Sequence, residues 1–170
     1  LKQQSFKAVY SSDLQRTRNS AQFIGQQHGL EPVAYSELRE LSFGTWEGMS
    51  VSEVESNFPG QMKKRMESVA TFQADGGETY RQLQARVIPK FEEIVALHPN
   101  GQIAMVCHGG VNRVILGHLL GIPMDRIFRI HQDYAALNVI QYYDHEPVVE
   151  YIGNAELFAS RKDEIKTAIQ

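Results

Sequence analysis

The sequence predicts an α/β fold, a three-layer α/β/α sandwich around a mainly parallel, mixed sheet. Three observations predict it. Short apolar runs alternate with longer stretches of helical periodicity, the pattern of strands joined by crossover helices. The chain has 170 residues, the size of one domain. Apolar residues make up 42% and charged residues 22%, an ordinary globular balance able to bury a core.

The same composition excludes several classes. The net charge is −3, so there is no basic field for nucleic acid or an anionic membrane. A single cysteine, Cys107, excludes an internal disulfide and a thiolate metal cluster. No apolar run approaches the roughly 18 residues of a membrane span. The chain opens at Leu1 without Met or a signal-peptide pattern, and its first residues read as a helix already under way. With no export signal, a cytoplasmic setting is expected.

The elements follow in order. Residues 7–11 (KAVYS) form a buried strand. Ser12 is expected to cap a helix over 13–28, with Asp13 favourable in its first turn and Gly29 ending it. Leu14, Ala21, Phe23 and Ile24 would supply that helix's apolar stripe. Residues 32–35 suggest a second strand, and 37–48 a structured loop with Gly44 and Gly48. Ser50 and Glu53 fit a capping box before a short helix that stops ahead of Pro59.

Residues 61–72 are weakly helical. After Asp75-Gly76-Gly77, a long helix is expected over 78–97, with Leu83, Val87, Phe91, Ile94 and Val95 inside and Pro89 as a possible bend. Residues 102–107 (QIAMVC) are the clearest buried strand, running into His108-Gly109-Gly110 and a helix to Leu120. Residues 137–143 and 148–152 read as a hairpin, and 156–170 as a helix or partly frayed tail.

Ligands in open α/β sheets bind beyond the carboxyl ends of the strands. Two such ends carry reactive groups here. One is Ser11–Arg16, which offers an arginine one turn into a helix. The other is His108-Gly109-Gly110, a histidine followed by glycines that let a ligand approach a helix N-terminus. Unpaired N–H groups at that terminus, an arginine fork and a titratable imidazole together suit a phosphate. The loop over 37–48 adds Glu37, Glu40 and Glu47, any of which could serve as a general acid. Cys107 points away from His108 on its strand and is expected in the core. The remaining histidines show no metal-ligand spacing.

Together these segments resemble the histidine phosphatase superfamily, the phosphoglycerate-mutase-like proteins. The likeness runs through Val9–Arg16, Leu38–Gly48, Gly77-Glu78-Thr79 with Arg86, Val106–Val111, and Ile152–Leu157. It implies attack on phosphorus by a histidine near the family's N-terminus, with a phosphohistidine intermediate and no metal or other cofactor. Arg16 matches the arginine that clamps phosphoryl oxygens. His108 matches the second histidine, which stabilises the transferring group. Glu40 matches the proton donor to the leaving oxygen, and Gly109 supplies backbone close to the phosphate.

The family's Arg-His-Gly triplet is absent from these residues. The resemblance therefore implies a domain over 1–170 that lacks its first strand and nucleophile loop. Asp133–Ala136 also departs from relatives, which often carry Asn near Tyr134. The short 48–77 segment and the ELSFGTWEG loop look like the phosphatase branch that includes α-ribazole phosphatases. The expected partner is a small phosphorylated metabolite. Two alternatives stand beside this reading, a phosphoglycerate mutase and a phospho-ligand binding module without catalysis.

Overall fold

The computed structural model describes residues 4–144 and 146–154. The helix expected over 156–170 and the end of the 152–157 likeness lie outside them. Five strands and five helices run in the order β1 (Phe6–Ser12), α1 (Gln15–His28), β2 (Val33–Tyr35), α2 (Val51–Asn57), α3 (Gln61–Glu67), α4 (Tyr80–Ala96), β3 (Gln102–Val106), α5 (Gly109–Leu119), β4 (Ala136–Tyr143) and β5 (Glu146–Asn154). Three 3₁₀ turns lie at Ser36–Leu38, Gly44–Trp46 and Met124–Arg129.

A parallel sheet has the order β2-β1-β3. From β1 the chain steps to β2 on one side through α1, then back past β1 to β3 through α4. The two steps run in opposite directions, so right-handed crossovers put α1 and α4 on opposite faces. Packing agrees. Ala8 and Tyr10 of β1 join Leu38 and Ile94 of α4 in one apolar cluster. Val9, alternating with them, is fully buried on the other side. A larger cluster joins α4 and α5 through Leu83, Val87, Phe91, Val111, Val114 and Ile115, with Met105 and Cys107 packed against it. β4 and β5 pair antiparallel, as the hairpin spacing predicts, and form a separate two-stranded sheet.

Local signals explain most boundaries. Ser50 and Glu53 form the expected capping box at α2. Thr79 and Gln82 form a second one at α4, which starts two residues later than the sequence suggests. That leaves Glu78 free for a partner described below.

Two expectations for α1 fail. The helix begins at Gln15 with Leu14 as its N-cap and no side-chain cap; Ser12 lies two residues earlier, where its hydroxyl accepts from the Leu14 N–H at 3.3 Å and meets His108. Its buried residues are Thr17, Ala21 and Gly25, and Phe23 is 66% exposed. The spacing of four residues sets that inner stripe, and Phe23, about 200° round from Ala21, faces out.

Leu83→Ala should cost about 2–5 kcal/mol in urea unfolding, since Leu83 is fully buried. Phe23→Ala should change stability by no more than about 0.5 kcal/mol. Equal losses would contradict the orientation of α1.

Candidate active site

His108 ends the β3 segment and is the N-cap of α5, with extended φ and ψ. The ring is 7% exposed. Its Nε2 lies 2.7 Å from the Ser12 hydroxyl, which is fully buried at the end of β1. Ser12 Oγ also lies 2.6 Å from Thr17 Oγ1, which is 2.9 Å from the Leu14 carbonyl oxygen. With the single ring proton on Nδ1, Thr17 donates to Ser12 and Ser12 to Nε2, which leaves Nδ1–H as the imidazole's donor to a ligand. The neighbouring Ser11 hydroxyl is buried with no hydrogen-bond partner among the described residues.

Glu40 approaches the same helix terminus from the loop after β2. Its Oε2 accepts from the Gly110 N–H at 3.0 Å, and its Oε1 accepts from its neighbour Leu41 N–H at 2.9 Å. A Cβ at residue 110 would run into the carboxylate, so the contact requires glycine there. The other two carboxylates of the loop are placed differently. Glu47 accepts from the Phe43 N–H at 2.7 Å within its own loop, and Glu37 accepts from Ser36 and faces Lys90. Of the three, Glu40 is the one that reaches α5.

Arg86 fixes the Glu40 segment from behind. Its Nε and one terminal nitrogen donate to both oxygens of Glu78 at 2.8 Å. The rest of the guanidinium donates to the carbonyls of Glu37, Arg39 and Glu40 at 2.6, 2.8 and 3.1 Å. All five donors of the fork are thereby used. The pair is largely buried, and removing one partner would leave an uncompensated charge. At the rim, Arg39 holds Asp13 through two 2.6 Å bonds, linking the segment after β1 to the Glu40 loop.

Arg16 is exposed on the first turn of α1. Its charge nonetheless acts on His108. Burial first, and then Arg16 and Arg86, lower the imidazole pKa to about 4. The ring is therefore neutral near pH 7, beside a helix N-terminus and two guanidinium groups. Gly109, the first residue of α5, is packed against Arg113. Cys107 packs in the core, where burial pushes its thiol up to about 12. The arrangement offers an anion cradle, a neutral hydrogen-bonding imidazole and a carboxyl group set to the side. A separate cavity of about 460 Å³, lined by Thr45, Trp46, Phe58 and Gln73 among others, includes none of these groups.

The expected residues His108, Glu40 and Gly109 thus meet at one helix terminus, with Arg16 close enough to act on His108. Ser12, Thr17 and Gly110 join them without having been singled out for it. Ser12 passed for a helix cap, and Gly110 signalled only a close backbone approach. Arg86 stood within a recognised segment with no role attached.

Comparison with known proteins gives the same direction. The sequence profile of the Histidine phosphatase superfamily (branch 1) matches residues 1–155. Phosphoserine phosphatase 1 of Hydrogenobacter thermophilus is 28% identical over 149 residues, covering 88% of this chain and 71% of that protein. Glucosyl-3-phosphoglycerate phosphatase of Mycobacterium tuberculosis is 30% identical over 124 residues, covering 68% of this chain but 55% of its own length. The α-ribazole phosphatase of Shigella flexneri superposes with a TM-score of 0.79 at 21% identity, covering 91% of this chain and 76% of that one.

The imidazole of His108 should titrate near pH 4 by NMR, well below 6.5. Between those values the unfolded chain binds a proton that the folded one refuses, so stability falls as pH drops from about 6.5 toward 4. A His108 pKa at or above 6.5 would contradict the desolvated, arginine-flanked placement.

Proposed function

The chain belongs to the histidine phosphatase superfamily, and on that basis we propose that it hydrolyses small phosphomonoesters through a phosphohistidine intermediate. The convergence of His108, Glu40 and Arg16 at the N-terminus of α5 carries this reading. The phosphoryl group sits at the start of α5 against the Gly109 backbone, next to the Gly110 N–H that Glu40 holds, with Arg16 on its oxygens. His108, kept neutral by its surroundings, donates a hydrogen bond to the group as charge develops. Arginines and helix N–H groups supply the positive field, so the scheme calls on no metal or other cofactor.

Two balanced steps follow. A histidine nitrogen bonds to phosphorus while the ester P–O bond breaks, and the leaving alcohol oxygen takes a proton from the Glu40 carboxyl. Water then attacks phosphorus, returning a proton to Glu40, and the P–N bond breaks to release inorganic phosphate. Glu40 suits both roles because each oxygen, already aimed by a backbone N–H, retains a further lone pair.

In this reading the nucleophilic histidine stands outside the described residues. Two observations support that. The edge of β3 away from β1 carries no strand among the described residues, although β3 leads straight into His108. The buried Ser11 hydroxyl beside the site also lacks a partner there. A strand along β3 would end beside His108. Among the described residues besides His108, His28, His98 and His118 are engaged elsewhere, with Phe6, Tyr10 and Glu92, and His131 is exposed ahead of β4.

The substrate is a small phosphorylated metabolite, in keeping with relatives named for phosphoserine and glucosyl-3-phosphoglycerate. No helix among the described residues is long and apolar enough to cross a membrane. We place the reaction in the cytoplasm, where a free Cys107 thiol is at home.

In the full-length protein, Arg16→Ala, Glu40→Gln and His108→Ala should each lower kcat/KM on a phosphomonoester panel about 100-fold or more. Phosphate release should far exceed interconversion of 2- and 3-phosphoglycerate. Full activity in all three variants would refute the site, and dominant interconversion would make the protein a mutase.

A further inference from the structure

Two arginines that meet over one aromatic ring take no part in the chemistry above. Arg65 lies on α3, and Arg113 on α5 one turn beyond Gly109. The Arg65 guanidinium lies over two phenyl rings, 5.4 Å from the centroid of Phe43 and 5.0 Å from that of Phe128. Arg113 lies over the same Phe128 ring at 5.8 Å. Tyr80 meets this ring edge-on at 5.5 Å. Two guanidinium groups thus share one aromatic ring.

Both are held in place. Arg113 donates from Nε to the Ile130 carbonyl at 3.0 Å. One of its terminal nitrogens lies so close to Gly109 that a Cβ there would stand 3.2 Å away. Burial raises the pKa of the Tyr80 hydroxyl, and the charges of Arg65, Glu40 and Arg113 act on it as well. Arg65, Arg113 and Tyr80 therefore meet at Phe128, and Arg113 carries that region to Gly109 at the helix terminus proposed to hold the phosphoryl group.

A cation over a ring gains about 0.5–2 kcal/mol. That offsets part of one guanidinium's desolvation and does nothing against repulsion between two like charges. Neither Arg65 nor Arg113 has an ion pair with a carboxylate among the described residues. Arg86 and Arg39 show the contrasting case, since each is matched to a carboxylate. Two ordered, unmatched guanidinium forks beside a phosphate cradle are complementary to a second anion on the same ligand. A planar carboxylate fits such forks best.

We infer that Arg65 and Arg113 receive a carboxylate on the alcohol part of the substrate, so that phosphorylated hydroxy acids are preferred over phosphoesters of alcohols without an acid group. The inference rests on the phosphatase reading and names its substrate class. Arg65 and Arg113 set specificity by touching the leaving group, and the phosphoryl chemistry stays with His108 and Glu40.

The test pairs O-phosphoserine with O-phosphoethanolamine, which differ only in the carboxylate. In the full-length protein kcat/KM should favour phosphoserine by roughly 10- to 100-fold, the worth of charge-assisted hydrogen bonds. Arg65→Gln and Arg113→Gln should each collapse that ratio to within about threefold, and Arg65→Lys should keep part of it. No preference in the wild type would overturn the inference. So would equal losses on both substrates, which would make the arginines latches for α3 and the 124–129 turn. If one Gln variant fails to fold by circular dichroism, the other and Arg113→Lys decide. Calorimetry with the matching phosphonates, 2-amino-4-phosphonobutanoate and 3-aminopropylphosphonate, reads the same preference without chemistry. A retained preference there with neither ester cleaved would sink the phosphatase reading and leave the carboxylate receptor standing.

Discussion

The Glu40 carboxylate ties the loop after β2 to the first turn of α5, and the site depends on that tie. One oxygen accepts from Leu41 N–H and the other from Gly110 N–H, across 70 residues of sequence. The approach is possible only because residue 110 has no Cβ. Arg86 secures the loop from the opposite side by holding the carbonyls of Glu37, Arg39 and Glu40 together with Glu78. A charged hub of this kind is costly to bury unless every donor is used, and here every donor is. The carboxyl group is thereby fixed beside the helix terminus by two backbone N–H groups, and its loop by the Arg86 guanidinium.

His108 is placed by a different device. β1 and β3 run parallel, so their carboxyl ends lie side by side, and Ser12 and His108 meet there. Burial and neighbouring guanidinium groups keep the ring neutral. A neutral imidazole among fixed cations binds a phosphoryl dianion without adding a titration of its own near neutral pH. Arg16 stays exposed at the rim, free of ion pairs among the described residues, as a residue that must meet an incoming anion would be.

Much of this was legible in the sequence because the signals are local. The strands at 7–11 and 102–107, the capping box at Ser50, and the glycines after His108 are short-range patterns with a direct physical meaning. Apart from the phase of α1 that turns Phe23 outward, the misses share one cause, a distant partner that sequence spacing does not show. Ser12 reads as a helix cap, and its hydroxyl meets His108, 96 residues away. Arg86 bonds backbone carbonyls, and carbonyls leave no mark in a sequence. Glu37, Glu40 and Glu47 look alike along the chain, and only the approach of α5 separates them. Sequence spacing marks the 137–152 hairpin but leaves open which sheet it joins, and among the described residues β4 and β5 pair only with each other.

The central claim is that a phosphoryl group is held at the N-terminus of α5 between Arg16 and His108, with Glu40 on the leaving-group side. A crystal structure of the full-length protein with orthovanadate tests it most directly. The account predicts vanadate within hydrogen-bond reach of Arg16, the His108 ring and the backbone at Gly109, with a Glu40 oxygen facing one vanadate oxygen. Vanadate bound elsewhere, or at this terminus with Glu40 turned away, would contradict it.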